Sequence, residues 1–368
     1  MRVTRAEINS QNLTFNLHNI RKTAPNSEIL AVVKANAYGH GAIGIARLLR
    51  EMDVNYLGVA FADEGWALRK SGDTGNIVVM VPGTGEDAEV FAEFDLQTCA
   101  ADLDVLSQYS DTALKHNTKI KTHLFINTGM NRDGVKPHEA EDFLIKAKKL
   151  PGIEIIGILT HFASSDFLDK SFAHNQLQTF INLIDELKQK GHDFQFIHCA
   201  NSGAIANIPE AHFNMIRPGI SLYGYMPEER LSDRIELKPV MELKTEVVSI
   251  KRVKAGETAG YSFKYFAEDE LDLAIIPIGY GDGLNYSFTN RVKVLINGKF
   301  YPLVGSICMD QSIVELGRDS NVKVGDEVVM IGEQQGAQQT AYDLAKIIET
   351  IPYDITTSIS MRVPRLIK

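Results

Sequence analysis

Short apolar runs alternate with longer amphipathic segments over roughly the first 225 residues of the chain. Short apolar runs are typical of buried strands, and apolar residues spaced three or four positions apart are typical of helices. The pattern predicts eight strands, at residues 29–33, 56–59, 77–81, 95–98, 119–126, 153–158, 195–198 and 213–216. It predicts helices at residues 9–24, 41–51, 63–71, 86–93, 101–115, 137–148 and 169–190, and a short one after Asn201.

Regular alternation of strands and helices indicates a parallel sheet with helices packed on it. Eight such units in about 220 residues fit a closed (β/α)8 barrel of the TIM type. An open, doubly wound sheet with additional units is the alternative that the alternation leaves open.

The pattern changes after about residue 225, where apolar and polar residues alternate and turn sequences separate the runs. Alternation of this kind predicts a mainly-β domain. One helix, at about 340–349, is expected to interrupt it. With a boundary near 226–236, we expect a barrel over residues 1–230 and a C-terminal mainly-β domain over 231–368.

The charge balance and the absence of long apolar segments exclude several classes of protein. The chain has 38 basic and 47 acidic residues, a net charge of −9, and no basic block that would bind nucleic acid phosphates. No apolar run approaches the roughly 20 residues of a membrane span, and the N-terminus does not resemble a secretion signal. Three scattered cysteines are too few for a disulfide framework or a zinc cluster. We therefore expect a cytoplasmic enzyme without a metal centre.

The residues directly after each predicted barrel strand are the first candidates for chemistry, because barrel enzymes place their sites at the carboxyl ends of the strands. Lys34 follows the first strand, and Tyr38, Gly39 and Gly41 come shortly after it. Burial at a strand end lowers the pKa of a lysine, and a neutral amine can form a covalent bond to an aldehyde. A lysine that merely reaches solvent is the alternative.

The later strands are followed by polar residues that belong to the same predicted rim, namely Arg132, His161, Asn201, Ser202 and Arg217. The last two loops of such barrels often bind phosphate. Ser202, together with the backbone of Gly219 and Ile220, suits that role. These residues suggest a phosphorylated ligand beside a reactive lysine.

Several motifs together resemble the alanine racemase family. They are AVVKANAYGHG, LTHFASSD, MIRPGISLYG, IPIGYGDG and VGSICMDQ, and they extend over nearly the whole chain. The resemblance implies pyridoxal 5′-phosphate (PLP) as cofactor, a barrel with a C-terminal β-domain, and interconversion of L- and D-alanine that supplies the cell wall. It also implies a homodimer with shared active sites.

The resemblance assigns cofactor contacts to particular residues of this chain. Lys34 matches the lysine that bears PLP and then acts as one base. Arg217 matches the arginine that faces the pyridine nitrogen, and His161 matches the histidine between that arginine and the catalytic tyrosine. The phosphate cradle corresponds to Tyr38, Ser202, Gly219 and Ile220, with Asn201 beside them.

The second base and the substrate contacts also follow from the resemblance. Tyr261 matches the tyrosine that works on the opposite face of the cofactor and comes from the partner subunit. Arg132 and the backbone N–H of Met309 match the groups that meet the substrate carboxylate, and Tyr280 matches a tyrosine at the mouth of the site. We expect positive charge on His161 and Arg217 to favour the phenolate of Tyr261.

The chain departs from the family pattern at a few positions. Many members carry a carbamylated lysine where this chain has Phe125, and an aspartate where it has Asn127. Asn127 or a bound anion is therefore expected to orient Arg132. Ser306 stands where several members have an arginine along the access path, and Met361 lies at a variable place before the closing RVPR.

Three other functions compete with an alanine racemase. A PLP-dependent decarboxylase of the same barrel class would place a carboxylate at the pyridine nitrogen, where this chain has Arg217. A non-catalytic PLP-binding protein built from the barrel alone would lack the β-domain with Tyr261 and Met309. A racemase with a broader range of amino-acid substrates is the third.

Overall fold

A computed structural model describes residues 2–368, which form two compact units. Residues 14–37 and 42–237 make up one unit, called here the barrel unit, and residues 2–13, 38–41 and 238–368 make up the other, the β-rich unit. Strands β1–β9 are Arg5–Ile8, Glu28–Val32, Tyr56–Val59, Asn76–Val79, Gln97–Ala100, Ile120–Phe125, Ile153–Leu159, Phe196–His198 and Met215–Ile216. Strands β10–β18 are Met241–Glu246, Ser249–Val253, Leu271–Ile276, Lys293–Ile296, Lys299–Val304, Ser312–Gly317, Glu327–Gln334, Ala337–Gln339 and Arg365–Ile367.

The helices lie mainly between the strands of the barrel unit. Helices α1–α9 are Ser10–Thr23, Lys34–Tyr38, Ala42–Glu51, Ala62–Lys70, Ala88–Glu93, Leu103–Lys115, Ala140–Ala147, Ser171–Gln189 and Ser202–Asn207. Helices α10 and α11, in the β-rich unit, are Ala341–Ile347 and Pro352–Thr357. Each helix that the periodicity predicts overlaps an observed one, because an apolar stripe at helical spacing has to be buried against a sheet.

The barrel unit contains one sheet of eight parallel strands in the order β8-β7-β6-β5-β4-β3-β2-β9. Just beyond the two outer strands, Arg217 N donates a hydrogen bond to Ala200 O at 2.8 Å, so the sheet is a nearly closed barrel. The predicted (β/α)8 fold is confirmed, and each predicted strand overlaps an observed one. Apolar residues such as Leu30, Val78 and Phe125 form a buried cluster within it.

The β-rich unit contains a ten-stranded sheet in which β10 to β16 pair antiparallel. Strand β1 pairs antiparallel with β10 and parallel with β18, so both ends of the described chain belong to this sheet. The expected division counts residues 5–8 with the barrel. In the structure they belong to this sheet, because their backbone partners are residues 241–244 and 365–367. These partners are distant in sequence, so no local pattern predicts the pairing.

Helix α11 and strand β18 are absent from the sequence-based predictions. Both are very short, and Pro352 at the first turn of α11 is compatible with a helix start but equally with a loop. The mainly-β character predicted for the C-terminal part of the chain is confirmed by the strands from β10 onwards.

Candidate active site

The predicted candidates on the barrel unit follow different strands but lie at the same rim. Lys34 follows β2, Arg132 follows β6, His161 follows β7, Ser202 follows β8 and Arg217 follows β9. Since all eight strands are parallel, these residues share the carboxyl end of the barrel. The side chains of His161 and Arg217 are in direct contact, with Arg217 Nη2 3.1 Å from His161 Nδ1.

The amine of Lys34 lies in an environment that favours its neutral form. Burial lowers its pKa most, and the positive charges of Arg132 and Arg217 lower it further. The carboxylate of Glu64 acts in the opposite direction. The lowered pKa favours a reactive amine over a lysine that only reaches solvent, since a solvated amine keeps its ordinary pKa.

The backbone that follows Lys34 has an unusual conformation. Ala35, Asn36, Ala37 and Tyr38 have φ angles of 50°, 54°, 54° and 52°, all in the left-handed region. None of them is glycine, and each left-handed residue with a Cβ costs about 1–2 kcal/mol. Strain of this kind persists only where surrounding contacts hold it, and it is concentrated at functional sites.

Arg217 is almost fully buried, with 2% of its surface exposed. Its guanidinium donates to the carbonyl oxygens of Thr160 and Cys199, at 2.9 and 3.1 Å, and to the Nδ1 atoms of His161 and His198. None of these partners is a carboxylate, and the buried Nε has no hydrogen-bond partner among residues 2–368. The barrel therefore holds a buried positive charge whose Nε–H is left to donate.

A row of buried polar side chains continues from Arg217 into the barrel. Because arginine can only donate, His198 Nδ1 accepts from Arg217 Nη1 at 2.9 Å, and the proton of neutral His198 is on Nε2. That N–H donates to His123 Nδ1 at 3.0 Å, His123 Nε2 donates to Gln97 Oε1 at 3.2 Å, and Gln97 Nε2 donates to Asn76 Oδ1 at 3.0 Å. Each group sets the tautomer or orientation of the next, so the row holds Arg217 in one position.

His161 and His198 contact Arg217, His123 lies beyond His198, and all three have lowered pKa values that favour the neutral form. Burial and the Arg217 charge lower the pKa of His123 to about 3, and they lower the pKa of His198 and His161 well below the usual range. The expectation of a positively charged His161 is therefore wrong. With Nδ1 accepting from Arg217, a neutral His161 carries its proton on Nε2 and acts there as a hydrogen-bond donor.

The loops after β8 and β9 are held together by hydroxyl groups. Ser202 Oγ accepts hydrogen bonds from Gly219 N at 2.9 Å and Ser221 N at 3.3 Å, and lies 3.0 Å from Ser221 Oγ. Ile220 directly follows Gly219 and begins a short 3-10 turn. Asn201 caps helix α9, with its Oδ1 accepting from Ala204 N. Of the predicted phosphate-binding residues, Ser202, Gly219 and Ile220 thus lie together in the barrel unit, with Asn201 beside them.

Arg132 lies at the same rim and is oriented by its neighbour. Its Nε donates to Asp133 Oδ2 at 3.0 Å, and its side chain is about half exposed. Asn127 instead accepts from the backbone N–H groups of Gly129 and Asn131, and so shapes the loop. The expectation that Asn127 orients Arg132 is therefore wrong: the short side chain is used by its own turn. Phe125 is buried in the barrel core.

The remaining candidates belong to the β-rich unit. Tyr261, Tyr280 and Met309 line a cavity of about 680 Å³ together with Tyr286 and Ser306. Backbone hydrogen bonds hold the 279–283 loop against residues 308 and 309, and Ser306 Oγ donates to the carbonyl oxygen of Tyr261 at 3.0 Å. Three of these side chains are well exposed within the described chain: Tyr261 at 71%, Met309 at 52% and Tyr280 at 45%.

Tyr38 is placed in the β-rich unit by its contacts. It is 8% exposed, and its ring lies 5.8 Å from that of Tyr353. The next residue, Gly39, has a φ of 85°, and a Cβ there would come within 1.9 Å of Thr356 O. Glycine is therefore required at this position, and Arg365 Nε donates to its carbonyl oxygen at 2.8 Å.

Comparison with known proteins identifies the family. A family model described as alanine racemase, N-terminal domain, matches residues 8–227, and one described as alanine racemase, C-terminal domain, matches residues 240–367. The chain belongs to the alanine racemase family. The resemblance seen in the sequence motifs is thereby confirmed.

Individual family members are similar over their whole length. Alanine racemase 2 of Caldanaerobacter subterraneus subsp. tengcongensis is 38% identical, with 100% of this chain and 95% of the relative covered. A solved alanine racemase of Clostridium difficile 630 has a TM-score of 0.95 and 37% identity, covering 99% of this chain and 95% of that one. The alanine racemase of Bacillus anthracis solved with bound L-Ala-P has a TM-score of 0.94 and 33% identity, covering 100% and 95%.

The structure adds residues to the family site that the sequence analysis did not single out. His123, His198 and Gln97 carry the row that holds Arg217, and Asp133 pairs with Arg132. The two histidines interrupt apolar strands, and that interruption was a visible signal. Within residues 2–368 we find no helix with the length and apolar character needed to cross a bilayer.

Proposed function

We propose that this member of the alanine racemase family interconverts L-alanine and D-alanine with PLP bound at the barrel rim, and that its D-alanine supplies peptidoglycan. One observation carries the proposal: Arg217, a buried guanidinium without a carboxylate partner, has an undonated N–H close to an amine of lowered pKa. This arrangement calls for an anionic ligand that has both a hydrogen-bond acceptor and a carbonyl carbon.

The residues of the rim fit PLP by the chemistry of their side chains. Lys34 supplies the amine for the covalent bond, and Arg217 Nε supplies a donor for the pyridine nitrogen. Within the barrel unit the group would be held by Lys34, Asn201, Ser202, Arg217, Gly219 and Ile220. The resemblance to the family assigns a further phosphate contact to Tyr38. When bound, PLP withdraws electrons from the substrate's α-carbon and so makes its proton easier to remove.

Racemisation needs two groups that exchange a proton with opposite faces of the α-carbon. Lys34 is suited to one face, because its lowered pKa makes the neutral, proton-accepting amine accessible. Tyr261 is assigned to the other face. Neutral His161 donates from Nε2, and a donor of that kind stabilises a phenolate without being charged itself.

Arg217 would limit how strongly bound PLP withdraws electrons from the substrate. Its guanidinium does not give up a proton, so the nitrogen it faces stays unprotonated. That limits electron withdrawal and disfavours side reactions such as transamination. The buried row from His198 to Asn76 supports this role by holding the guanidinium in place.

The substrate carboxylate is assigned to Arg132 and to the backbone N–H of Met309, with Tyr280 at the mouth of the site. The guanidinium of Arg132 already pairs with Asp133 through Nε, which leaves its terminal N–H groups for a carboxylate. A guanidinium can bind a carboxylate with two parallel hydrogen bonds.

The function is tested by incubating the full chain with PLP and L-alanine and measuring D-alanine with D-amino-acid oxidase. We expect D-alanine to accumulate until both enantiomers are equal, and no D-alanine in reactions without PLP. Parallel reactions with L-serine and L-lysine test the broader racemase, and released carbon dioxide tests the decarboxylase. Carbon dioxide release without D-alanine would contradict the proposal.

We also propose a homodimer whose active sites combine residues of two copies. The support is the exposure of Tyr261, Met309 and Tyr280, together with Phe263 at 72%. Aromatic side chains exposed in one cluster are typical of a surface that another protein covers. A second copy of this chain would bring Tyr261 to a barrel rim that carries Lys34.

Mixing two inactive variants tests shared sites directly. We expect Lys34→Ala and Tyr261→Phe each to lose racemase activity, because each lacks one of the two proton-transfer groups. After subunit exchange, half of the dimers are mixed and each contains one intact site, so about one quarter of wild-type activity should return.

A matched mixture provides the control for this experiment. Tyr261→Phe mixed with a chain that carries both substitutions should stay inactive, since no combination restores an intact site. If native mass spectrometry shows mixed dimers and the first mixture remains inactive, the shared site is ruled out.

A further inference from the structure

Glu64 lies in the first turn of α4, which follows strand β3. Its Oε2 atom accepts hydrogen bonds from Ala60 N at 2.7 Å and from Phe61 N at 3.4 Å. A glutamate at this position often caps its own helix by bonding back to the N-cap backbone. Capping accounts for the hydrogen bonds that Oε2 accepts, but not for those of Oε1.

The other carboxylate oxygen of Glu64 has its hydrogen-bond partner outside helix α4. Glu64 Oε1 accepts a hydrogen bond from Ala35 N at 2.6 Å, the residue directly after Lys34. Strands β2 and β3 are parallel neighbours, so one carboxylate connects the carboxyl ends of both. Hydrogen bonds to an ionised acceptor are short and about twice as strong as those between neutral groups.

Ala35 is the residue at which the strained backbone begins. It is the first of the four left-handed residues that end at Tyr38. Further along, Asn36 Oδ1 accepts from Ala42 N at 2.9 Å. The Glu64 contact therefore holds the peptide between Lys34 and Ala35, where the left-handed turn begins.

We propose that Glu64 is a positioning residue for Lys34: by accepting from Ala35 N it holds the left-handed turn and thereby aims the lysine amine into the site. The inference rests on the proposed function only in taking Lys34 as the residue that bonds PLP. Glu64 is not assigned a contact with the substrate or the cofactor.

Two substitutions at this position separate capping from positioning. Glu64→Ala removes the carboxylate, so the contact with Ala35 and the helix cap are both lost. Glu64→Asp keeps the charge and can still cap its own helix turn, but it is one methylene shorter and does not also reach Ala35. Asp63→Asn removes the same charge from the same helix turn and serves as the matched control.

The first measurement is hydrogen exchange of the full-length protein without cofactor, resolved at Ala35 and Ala60. We expect the Ala35 amide to exchange roughly tenfold faster or more in both Glu64 variants, and to be unchanged in Asp63→Asn. Wild-type exchange at Ala35 in both Glu64 variants would overturn the proposal. This measurement does not depend on what Lys34 does.

The second measurement is binding of PLP and trapping of the bound cofactor by borohydride. We expect the Kd for PLP to rise about tenfold in the Glu64 variants, with a slower approach to the trapped adduct at Lys34, and no change in Asp63→Asn. Faster Ala35 exchange with wild-type PLP binding and trapping would overturn the link to Lys34. Failure of the proposed function is seen separately, as trapping that persists in Lys34→Ala.

Discussion

Lys34→Ala is expected to lower racemisation by at least about 10³-fold, because a base on one face and the covalent attachment of PLP are lost together. The site has no second lysine assigned to either role. Mass spectrometry after borohydride reduction should show a pyridoxyl group on the Lys34 peptide of the wild type and none in the variant.

Two controls make this result specific to the amine. Lys34→Arg keeps the positive charge and a long side chain but cannot form the covalent bond, so it should be as inactive as Lys34→Ala. Lys136→Ala removes a lysine that bonds to Asn131 and should leave activity near that of the wild type. Retention of a borohydride-reducible adduct in folded Lys34→Ala would show that another residue carries the cofactor.

Arg217→Glu is expected to change the chemistry as well as the rate. A carboxylate beside the pyridine nitrogen favours its protonated form and so strengthens electron withdrawal by the cofactor. We expect racemisation to fall by roughly 10²-fold or more, because a preorganised charge is removed from the reacting group. A long-wavelength absorption band should appear on addition of alanine, and transamination should increase.

The surroundings of Arg217 set the controls for that experiment. Glutamate would leave the carbonyls of Thr160 and Cys199 without their donor, at a cost of about 1–3 kcal/mol each, so thermal unfolding has to confirm that the variant is folded. Arg217→Lys keeps a positive charge and should show reduced activity without the new band. A folded, PLP-bound Arg217→Glu protein with a wild-type spectrum would refute the assigned role.

The buried row behind Arg217 explains why the arginine tolerates burial without a carboxylate. His198 and His123 are fully buried, and their lowered pKa values favour the neutral form. His198 Nδ1 accepts from the guanidinium, and His123 Nδ1 accepts in turn from His198 Nε2. Arg217 can only donate, which sets the direction of every hydrogen bond in the row, and Gln97 accepts from His123 and donates to Asn76 at the far end. Polar groups buried in this way are stable only when all of them are satisfied together.

The sequence alone determined the barrel and the rim residues. Apolar periodicity is local, so eight strands and the helices between them could be located without knowing any tertiary contact. Once the strands are parallel, residues that follow them must meet at one rim, which brought Lys34, His161 and Arg217 together in the prediction. Contiguous motifs were sufficient to indicate the family for the same reason, since each is read within a few residues.

Only the tertiary structure decided which partner each of these side chains has. The hydrogen bonds from Arg217 to His198 and from Ala35 N to Glu64 join residues about 20 to 30 positions apart, and no sequence periodicity predicts them. The neutral state of His161 follows from burial beside Arg217, and burial is a property of the folded chain. Strand β1 likewise found its place through partners more than 200 residues away, because backbone pairing does not depend on side-chain identity.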